Sequence, residues 1–138
     1  METLNYLSSY IYLFGNDIRL LHLYTKGKNF MEVHELLNEL YAVCFDYYDV
    51  FAEMAIAHNE IIPNPTDILL EDNIAWNPIL GNNFSSDDIK NYVLDKGNEI
   101  IKFADNITEY ENFVTSKIDE FNYELDSLVN YKFARISD

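Results

Sequence analysis

Apolar residues return every three or four positions along most of this chain, and that spacing is the strongest constraint on its fold. Between about Leu4 and Tyr24 a single apolar row follows it, consisting of Leu7, Ile11, Phe14, Ile18 and Leu21. Such spacing places apolar side chains on one face of an α-helix, where they can pack against neighbouring helices. The sequence therefore predicts an all-α protein, and its 138 residues fit a single domain over residues 1–138.

Breaks in this pattern divide the chain into four helices. Gly27 is the residue type expected just beyond a helix C terminus, and Asn29 can cap the helix that follows. The second helix is predicted over Phe30–Ala57 and carries two apolar rows, which indicates contacts on more than one side. A third helix is predicted from about Ser86 and a fourth from about Thr108.

The segment 59–85 is too rich in helix breakers to form one long helix. The strongest of these breakers are Pro63, Pro65, Pro78 and Gly81. A short helix can nevertheless start at Thr66. A connection of this length is unusual in a compact domain, and one reason for it is that it joins two helices that run in the same direction. These features predict a ferritin-like four-helix bundle, in which a long crossover between the second and third helices carries a short helix.

The chain is strongly acidic, with a formal net charge of −15. Such a surface attracts cations and repels phosphate backbones and anionic lipid. Cys44, the single cysteine, lies among apolar residues, so we interpret it as a small buried side chain rather than half of a disulfide. No apolar run is long enough to span a bilayer. These features predict a soluble, cytoplasmic protein that does not act at a membrane.

Two histidines flank the predicted first turn, in the stretch HLYTKGKNFMEVHELLNEL (residues 22–40). His22 lies about one helical turn before the break and His34 about one turn after it, so an antiparallel hairpin brings them to a similar height. Further along the second helix, Asp49 and Glu53 are four residues apart and project from one face. Two imidazoles and two carboxylates are a suitable ligand set for iron or a similar divalent metal.

These four residues cannot meet within one chain. His34 and Asp49 are fifteen residues apart on one continuous helix, which is roughly 22 Å at ~1.5 Å per residue, whereas metal–ligand bonds are on the order of 2 Å. A second copy of the helix, laid antiparallel about a two-fold axis near Ala42 and Val43, would bring its Asp49 and Glu53 level with the first copy's His34. The sequence therefore predicts two half-sites in each subunit, which a dimer completes.

The stretch HLYTKGKNFMEVHELLNELY and the Asp-x-x-x-Glu segment that ends in Ala52-Glu53 together resemble the signature of the Dps family of mini-ferritins. The resemblance implies that His22 and His34 of one subunit and Asp49 and Glu53 of its two-fold mate form a ferroxidase site, holding one or two iron ions between the subunits. It also implies a ferroxidase-type oxidoreductase that assembles as a homo-oligomer, a hollow dodecamer. Members of the family oxidise Fe(II), often with hydrogen peroxide, and store the ferric product, which serves iron homeostasis and protection against oxidative stress.

Several positions depart from the family pattern. Leu23 follows the first histidine, where the family often has Trp, so any electron-supplying role would fall to a residue such as Tyr24. Asn38 stands where an acidic residue is usual, and Met54 replaces a common Arg. These departures leave open a structural ferritin-like bundle with degenerate ferroxidase activity.

The family also includes DNA-protecting members, which usually bind DNA through a lysine-rich tail. In this chain Lys132 and Arg135 are the basic residues near the C-terminal end, and Lys26 and Lys28 are too few to offset the acidic charge. We therefore expect no appreciable DNA binding at physiological salt. A DNA-binding protective protein is nevertheless an alternative function.

Three acidic residues surround the predicted start of the fourth helix: Asp105, Glu109 and Glu111. The simpler interpretation is a solvated helix N terminus, whose dipole favours carboxylates. The functional alternative is an acidic ring that lines a three-fold pore and draws Fe(II) inward. His58, at the start of the crossover, is interpreted as a structural or surface residue.

Overall fold

The computed structural model describes residues 2–136, and the described part of the chain is helices joined by loops, without β-strands. Its four α-helices are α1 (Leu4–Tyr24), α2 (Phe30–Ala57), α3 (Ser86–Asp105) and α4 (Asn112–Asp126). Beyond α4 the chain continues as a π-helical segment, Ser127–Lys132, and a 3-10 turn, Phe133–Arg135. The predicted all-α class is confirmed, and α1 and α2 begin and end where the apolar spacing places them.

The hairpin of α1 and α2 is stabilised by the apolar row predicted for α1. Every member of that row is at most 1% exposed: Leu7, Ile11, Phe14, Ile18 and Leu21. The turn passes through Gly27 at φ +80°, a left-handed conformation that costs glycine little because it has no Cβ. Asn29 is the residue before α2, as predicted, but it is also left-handed (φ 63°) rather than extended like a typical side-chain cap.

Hydrogen bonds at the two ends of the helices establish their directions. At one end, the Tyr110 hydroxyl accepts from the Leu4 backbone N–H (3.1 Å) and donates to Glu60 (2.6 Å), which joins the start of α1, the end of α2 and the α3–α4 loop. At the opposite end, the Ser86 hydroxyl donates to the Lys28 carbonyl (2.8 Å), which places the start of α3 beside the α1–α2 turn. Therefore α2 and α3 run in the same direction, as predicted.

The crossover between α2 and α3 contains one short helix, a 3-10 helix over Pro65–Leu70. The Asn64 side chain caps it by accepting from the Thr66 backbone N–H, and Ile68 buries its side chain in the protein. A short helix at this place was predicted from the sequence. Within residues 2–136, no helix combines the length and the continuous apolar character that crossing a bilayer requires.

The predicted start of the fourth helix at Thr108 is wrong, since α4 begins at Asn112. The intervening residues are needed for the turn: Ile107 is 3% exposed and fills the core, while Tyr110 reaches the first residues of α1. Both contacts require non-helical backbone across the end of the helices. Glu109 therefore lies in a loop, and Glu111 is the N-cap residue of α4.

Candidate functional site

The hairpin brings His22 and His34 into direct contact. His22 lies in the last turn of α1 and His34 in the second turn of α2, and their rings stack with centroids 3.9 Å apart and an interplanar angle of 23°. Phe30, one turn before His34, stacks against it with centroids 5.1 Å apart. Both histidines are half-buried. The prediction that the two imidazoles share one height on the hairpin is confirmed.

One hydrogen bond determines which nitrogen of His34 can bind a cation. His34 Nδ1 lies 3.2 Å from the carbonyl oxygen of His22. A carbonyl only accepts hydrogen bonds, so Nδ1 must carry the proton and donate. In the neutral ring the lone pair is then on Nε2, and backbone support of this kind is typical of metal-binding histidines.

The surroundings of His22 favour the neutral ring. Burial lowers the pKa of His22 below its usual 6.5, and the neighbouring His34 lowers it further, since two imidazolium charges would repel. A neutral imidazole is the form that binds a metal. At neutral pH His22 therefore offers a lone pair rather than a positive charge.

The stacking geometry affects how the two rings can share a cation. Imidazole lone pairs lie in the ring plane, so nearly parallel rings with centroids 3.9 Å apart hold their lone pairs in two nearly parallel planes. A single ion bound by both rings would require one ring to rotate.

The two predicted carboxylates lie far from the histidines of the same chain. Asp49 and Glu53 are both exposed. Because α2 is unbroken from Phe30 to Ala57, His34 and Asp49 are separated by roughly 22 Å along the helix, as the sequence predicted. Among the residues that the structure describes, no group of three or more His, Cys, Asp and Glu side chains is placed to hold a metal ion. The histidine pair and the carboxylate pair are therefore separate in the subunit.

The surface midway between the two pairs is open. Ala42 is exposed and Val43 is half-buried on α2. Beside them, a shallow cavity of about 360 Å³ extends towards α4 and the π-helical segment, where Tyr123 is 77% exposed and Leu128 lines the floor. The small side chain of Ala42 leaves room for another helix to approach.

The acidic residues at the other end of the helices have different surroundings from those predicted. Asp105 ends α3, Glu109 is an exposed loop residue, and Glu111 binds His58 through Oε1 at 2.9 Å from Nε2. His58 ends α2, and its Nδ1 lies 2.7 Å from the Met54 carbonyl. His58 has the structural role expected of it. Of the three acidic residues, Glu111 lies at the exposed N terminus of α4 as predicted, whereas Asp105 belongs to α3 and Glu109 to the loop.

Sequence reasoning missed Asp17, which is 5% exposed within α1. Its carboxylate accepts from Trp76 Nε1 (2.9 Å), from the Ile79 backbone N–H (3.3 Å) and from the Tyr92 hydroxyl. Burial raises the pKa of this carboxyl, while the three hydrogen bonds oppose the shift. In the sequence, Asp17 can be recognised as a charged residue at a position where the helical spacing predicts a core side chain, directly before the buried Ile18.

Comparison with known proteins gives no assignment: no protein-family model, curated protein or solved structure matches the chain.

Proposed function

We propose that this chain is a Dps-type mini-ferritin with the ferritin-like bundle: it binds and oxidises Fe(II) at sites shared between two subunits and stores the ferric product inside a hollow shell. The observation that carries the proposal is the stacked pair of His22 and His34, with the His34 Nε2 lone pair left available by the bond from Nδ1 to the His22 carbonyl. This arrangement supplies nitrogen ligands suited to Fe(II).

The carboxylates support the same proposal from the other half of α2. Asp49 and Glu53 are exposed and four residues apart on an unbroken helix. A two-fold mate packed near Ala42 would bring them to the histidines of the first subunit, and the operation creates a second site at the other end of the interface. The net charge of −15 favours a cationic substrate such as Fe(II).

Mixing two inactive variants tests the shared site directly. We expect the His34→Ala variant and the Asp49→Ala, Glu53→Ala variant each to lose peroxide-dependent Fe(II) oxidation, measured as ferric absorbance after anaerobic loading. In a mixed dimer one of the two sites keeps all its ligands. Refolding an equal mixture should therefore restore about a quarter of the wild-type activity, because half of the dimers are mixed.

Matched substitutions separate ligand loss from general damage. His58→Ala and Asp119→Ala alter the same residue types without removing a proposed ligand, since His58 hydrogen-bonds to Met54 and Glu111 and Asp119 is exposed on α4. Both variants should oxidise Fe(II) like the wild type. Full activity in an isolated monomer, or no recovery in the mixture of correctly assembled variants, would contradict the proposal.

A further inference from the structure

A cavity of about 170 Å³ lies where α1, the crossover and α3 meet. Three aromatic rings, two aliphatic side chains and one carboxylate line it: Tyr10, Trp76, Phe103, Ala75, Ile100 and Glu99. The three rings are half-buried, whereas Ala75 and Glu99 are exposed, so the cavity opens to solvent at its edge. Apolar cavities of about 150 Å³ are large enough to hold benzene, so this one accepts a group of that size.

The three rings form a bent wall rather than a flat stack. The centroid of the Tyr10 ring lies 6.1 Å from that of Trp76, at an interplanar angle of 44°. On its other contact, the same ring lies 5.1 Å from that of Phe103, at 65°. Rings inclined to one another enclose a concave space, which parallel stacked rings would not leave.

Hydrogen bonds at the ring edges hold two of these rings in place. The Tyr10 hydroxyl donates to the Asn73 carbonyl and accepts from the Ala75 backbone N–H, each at 3.3 Å. Trp76 Nε1 donates to the Asp17 carboxylate at 2.9 Å. These bonds use the polar atoms of the rings and leave their apolar surfaces for other partners. The wall is therefore formed before any ligand arrives, which lowers the entropic cost of binding.

The indole in this wall already binds a cation of the same chain. Lys96 Nζ lies 5.1 Å from the centroid of the Trp76 ring, close enough for the negative face of the ring to attract it. The same Nζ lies 3.3 Å from the carboxylate of Glu99. An exposed ion pair of this kind contributes little to stability, so Glu99 can exchange Lys96 for another cation at small cost.

We propose that this cavity binds a small quaternary ammonium compound of the choline type. Aromatic rings attract quaternary ammonium groups, whose methyl groups also suit an apolar wall and need no hydrogen-bond acceptor. A trimethylammonium group is no larger than benzene and therefore fits the space. The net charge of −15 favours a cation over a zwitterion, because the acidic group of a zwitterion would be repelled. The site is separate from the proposed iron chemistry and does not depend on it.

Emission from Trp76, the single tryptophan of the chain, reports binding at this cavity. Choline chloride, titrated into the whole chain at constant ionic strength, should change this emission in a saturable way, and calorimetry should give the same Kd. The uncharged isostere of choline, in which carbon replaces the quaternary nitrogen, should bind roughly tenfold more weakly or worse, because it lacks the cation–π attraction. Phosphocholine should also bind more weakly than choline, since its phosphate adds negative charge.

Two substitutions should change the affinity in opposite directions. Phe103→Leu removes one ring and keeps an apolar side chain, and we expect it to weaken choline binding roughly five- to thirty-fold. Lys96→Gln removes a competing positive charge and frees Glu99, so it should tighten choline binding several-fold. Damage to the fold would not produce a gain of this kind.

Matched variants elsewhere in the chain control for general effects. Phe113→Leu removes a ring that is 62% exposed on α4 and does not line the cavity. Glu32→Gln removes an exposed carboxylate in the first turn of α2 and is compared with Glu99→Gln, which should weaken binding. Both control variants should bind choline like the wild type, and unchanged melting curves show that each variant is folded.

The outcomes separate the cavity from its ligand. Absence of saturable choline binding, or binding that is unchanged in Phe103→Leu, overturns the site. Equal affinity for choline and its uncharged isostere would mean that the cavity accepts any apolar group of this size, which overturns the choice of a cation. Phosphocholine binding as tight as that of choline would overturn the preference for a ligand without an acidic group.

Discussion

His58 ends α2 in surroundings that require a charged imidazole. Nδ1 faces the Met54 carbonyl at 2.7 Å and Nε2 faces the Glu111 carboxylate at 2.9 Å. Both partners are acceptors, so the ring satisfies both only when each nitrogen carries a proton. The hydrogen bond to Met54 raises the pKa of His58 above 6.5, and the bond to Glu111 raises it further. His58 in turn lowers the pKa of Glu111 below 4.5.

These opposite shifts predict a window of pH in which the pair stabilises the protein. The contribution of His58 is complete below its unfolded pKa of about 6.5 and is lost as the pH rises through its higher folded pKa. The contribution of Glu111 is lost as the pH falls through its lowered folded pKa. The melting temperature of wild type should therefore exceed that of His58→Gln most near pH 5.5 and least near pH 9.

Glu111→Gln provides the control, because it removes the carboxylate partner of His58. In that background the effect of His58→Gln should depend less on pH, and the dependence that remains should come mainly from the bond to the Met54 carbonyl, which is the larger cause of the raised pKa. A difference between wild type and His58→Gln that stays constant from pH 5.5 to pH 9 would exclude the charged pair.

Gly97 allows the π-helical segment to pack tightly on α3. A Cβ added at Gly97 would lie 2.6 Å from Val129 Cγ2 and 3.0 Å from Val129 Cγ1. We predict that Gly97→Ala destabilises the protein by about 1–3 kcal/mol through overpacking, although alanine alone favours a helix by about 1 kcal/mol. Urea denaturation should show this loss and its partial recovery when Val129→Ala is added. A stabilised Gly97→Ala variant would mean that the two segments separate easily.

At the scale of elements, the sequence predicts the bounds of a helix where these bounds are determined by contacts between residues close in sequence. The bounds of α1 and α2 follow from apolar spacing and the break at Gly27, all within a few residues of each helix end. The start of α4 does not, because it depends on the burial of Ile107 and on the hydrogen bond that the Leu4 N–H donates to the Tyr110 hydroxyl, more than one hundred residues away in sequence.

The same distinction applies to the candidate site. His22 and His34 are close in sequence, across one turn, and their contact could be predicted from the hairpin alone. The buried Asp17 could not, since Trp76 and Tyr92 reach it from elements 59 and 75 residues further along the chain. For Asp49 and Glu53 one subunit gives no test of the predicted site, because no described group in the same chain completes a metal site with them.

A substitution in the crossover tests how much the hydrogen bonds to Asp17 stabilise this segment. Trp76→Phe removes the 2.9 Å bond from the indole N–H to a buried carboxylate. We predict a loss of about 1–3 kcal/mol in the free energy of unfolding and faster proteolytic cleavage within 59–85. Leu80→Ala, at a crossover residue that is 84% exposed, should change neither measurement. Equal stability of Trp76→Phe and wild type would mean that the remaining donors hold the crossover alone.

At the scale of the whole molecule, charge and assembly oppose each other. Each chain carries −15, so an oligomer gathers a large negative charge that draws in cations but also drives subunits apart. In the oligomer that we propose, close packing of apolar and small residues would have to outweigh this repulsion. The open surface around Ala42 and Val43 on α2 offers a place for such packing, because it borders a shallow cavity. The charged residues of that cavity are Glu39, Glu124 and Lys132, and Lys132 pairs with Glu39 at 3.1 Å.

A charge placed at the proposed axis tests the assembly. In Ala42→Glu, the two-fold operation would set two carboxylates close to each other across the interface, where like charges repel. We predict that sedimentation then detects single subunits, and that Fe(II) oxidation is lost because no site is complete. Far-UV circular dichroism should stay unchanged, since Ala42 is exposed in the subunit. Raising the salt concentration should restore part of the assembly by screening the repulsion.

The same substitution elsewhere on α2 shows whether position matters. Ala57 is exposed at the end of the helix, fifteen residues from Ala42, so Ala57→Glu adds the same charge about 22 Å from the proposed axis. That variant should sediment like the wild type. If Ala42→Glu instead keeps the wild-type particle size and activity, the subunits meet through another surface, and the half-sites on α2 would have to be completed in another way.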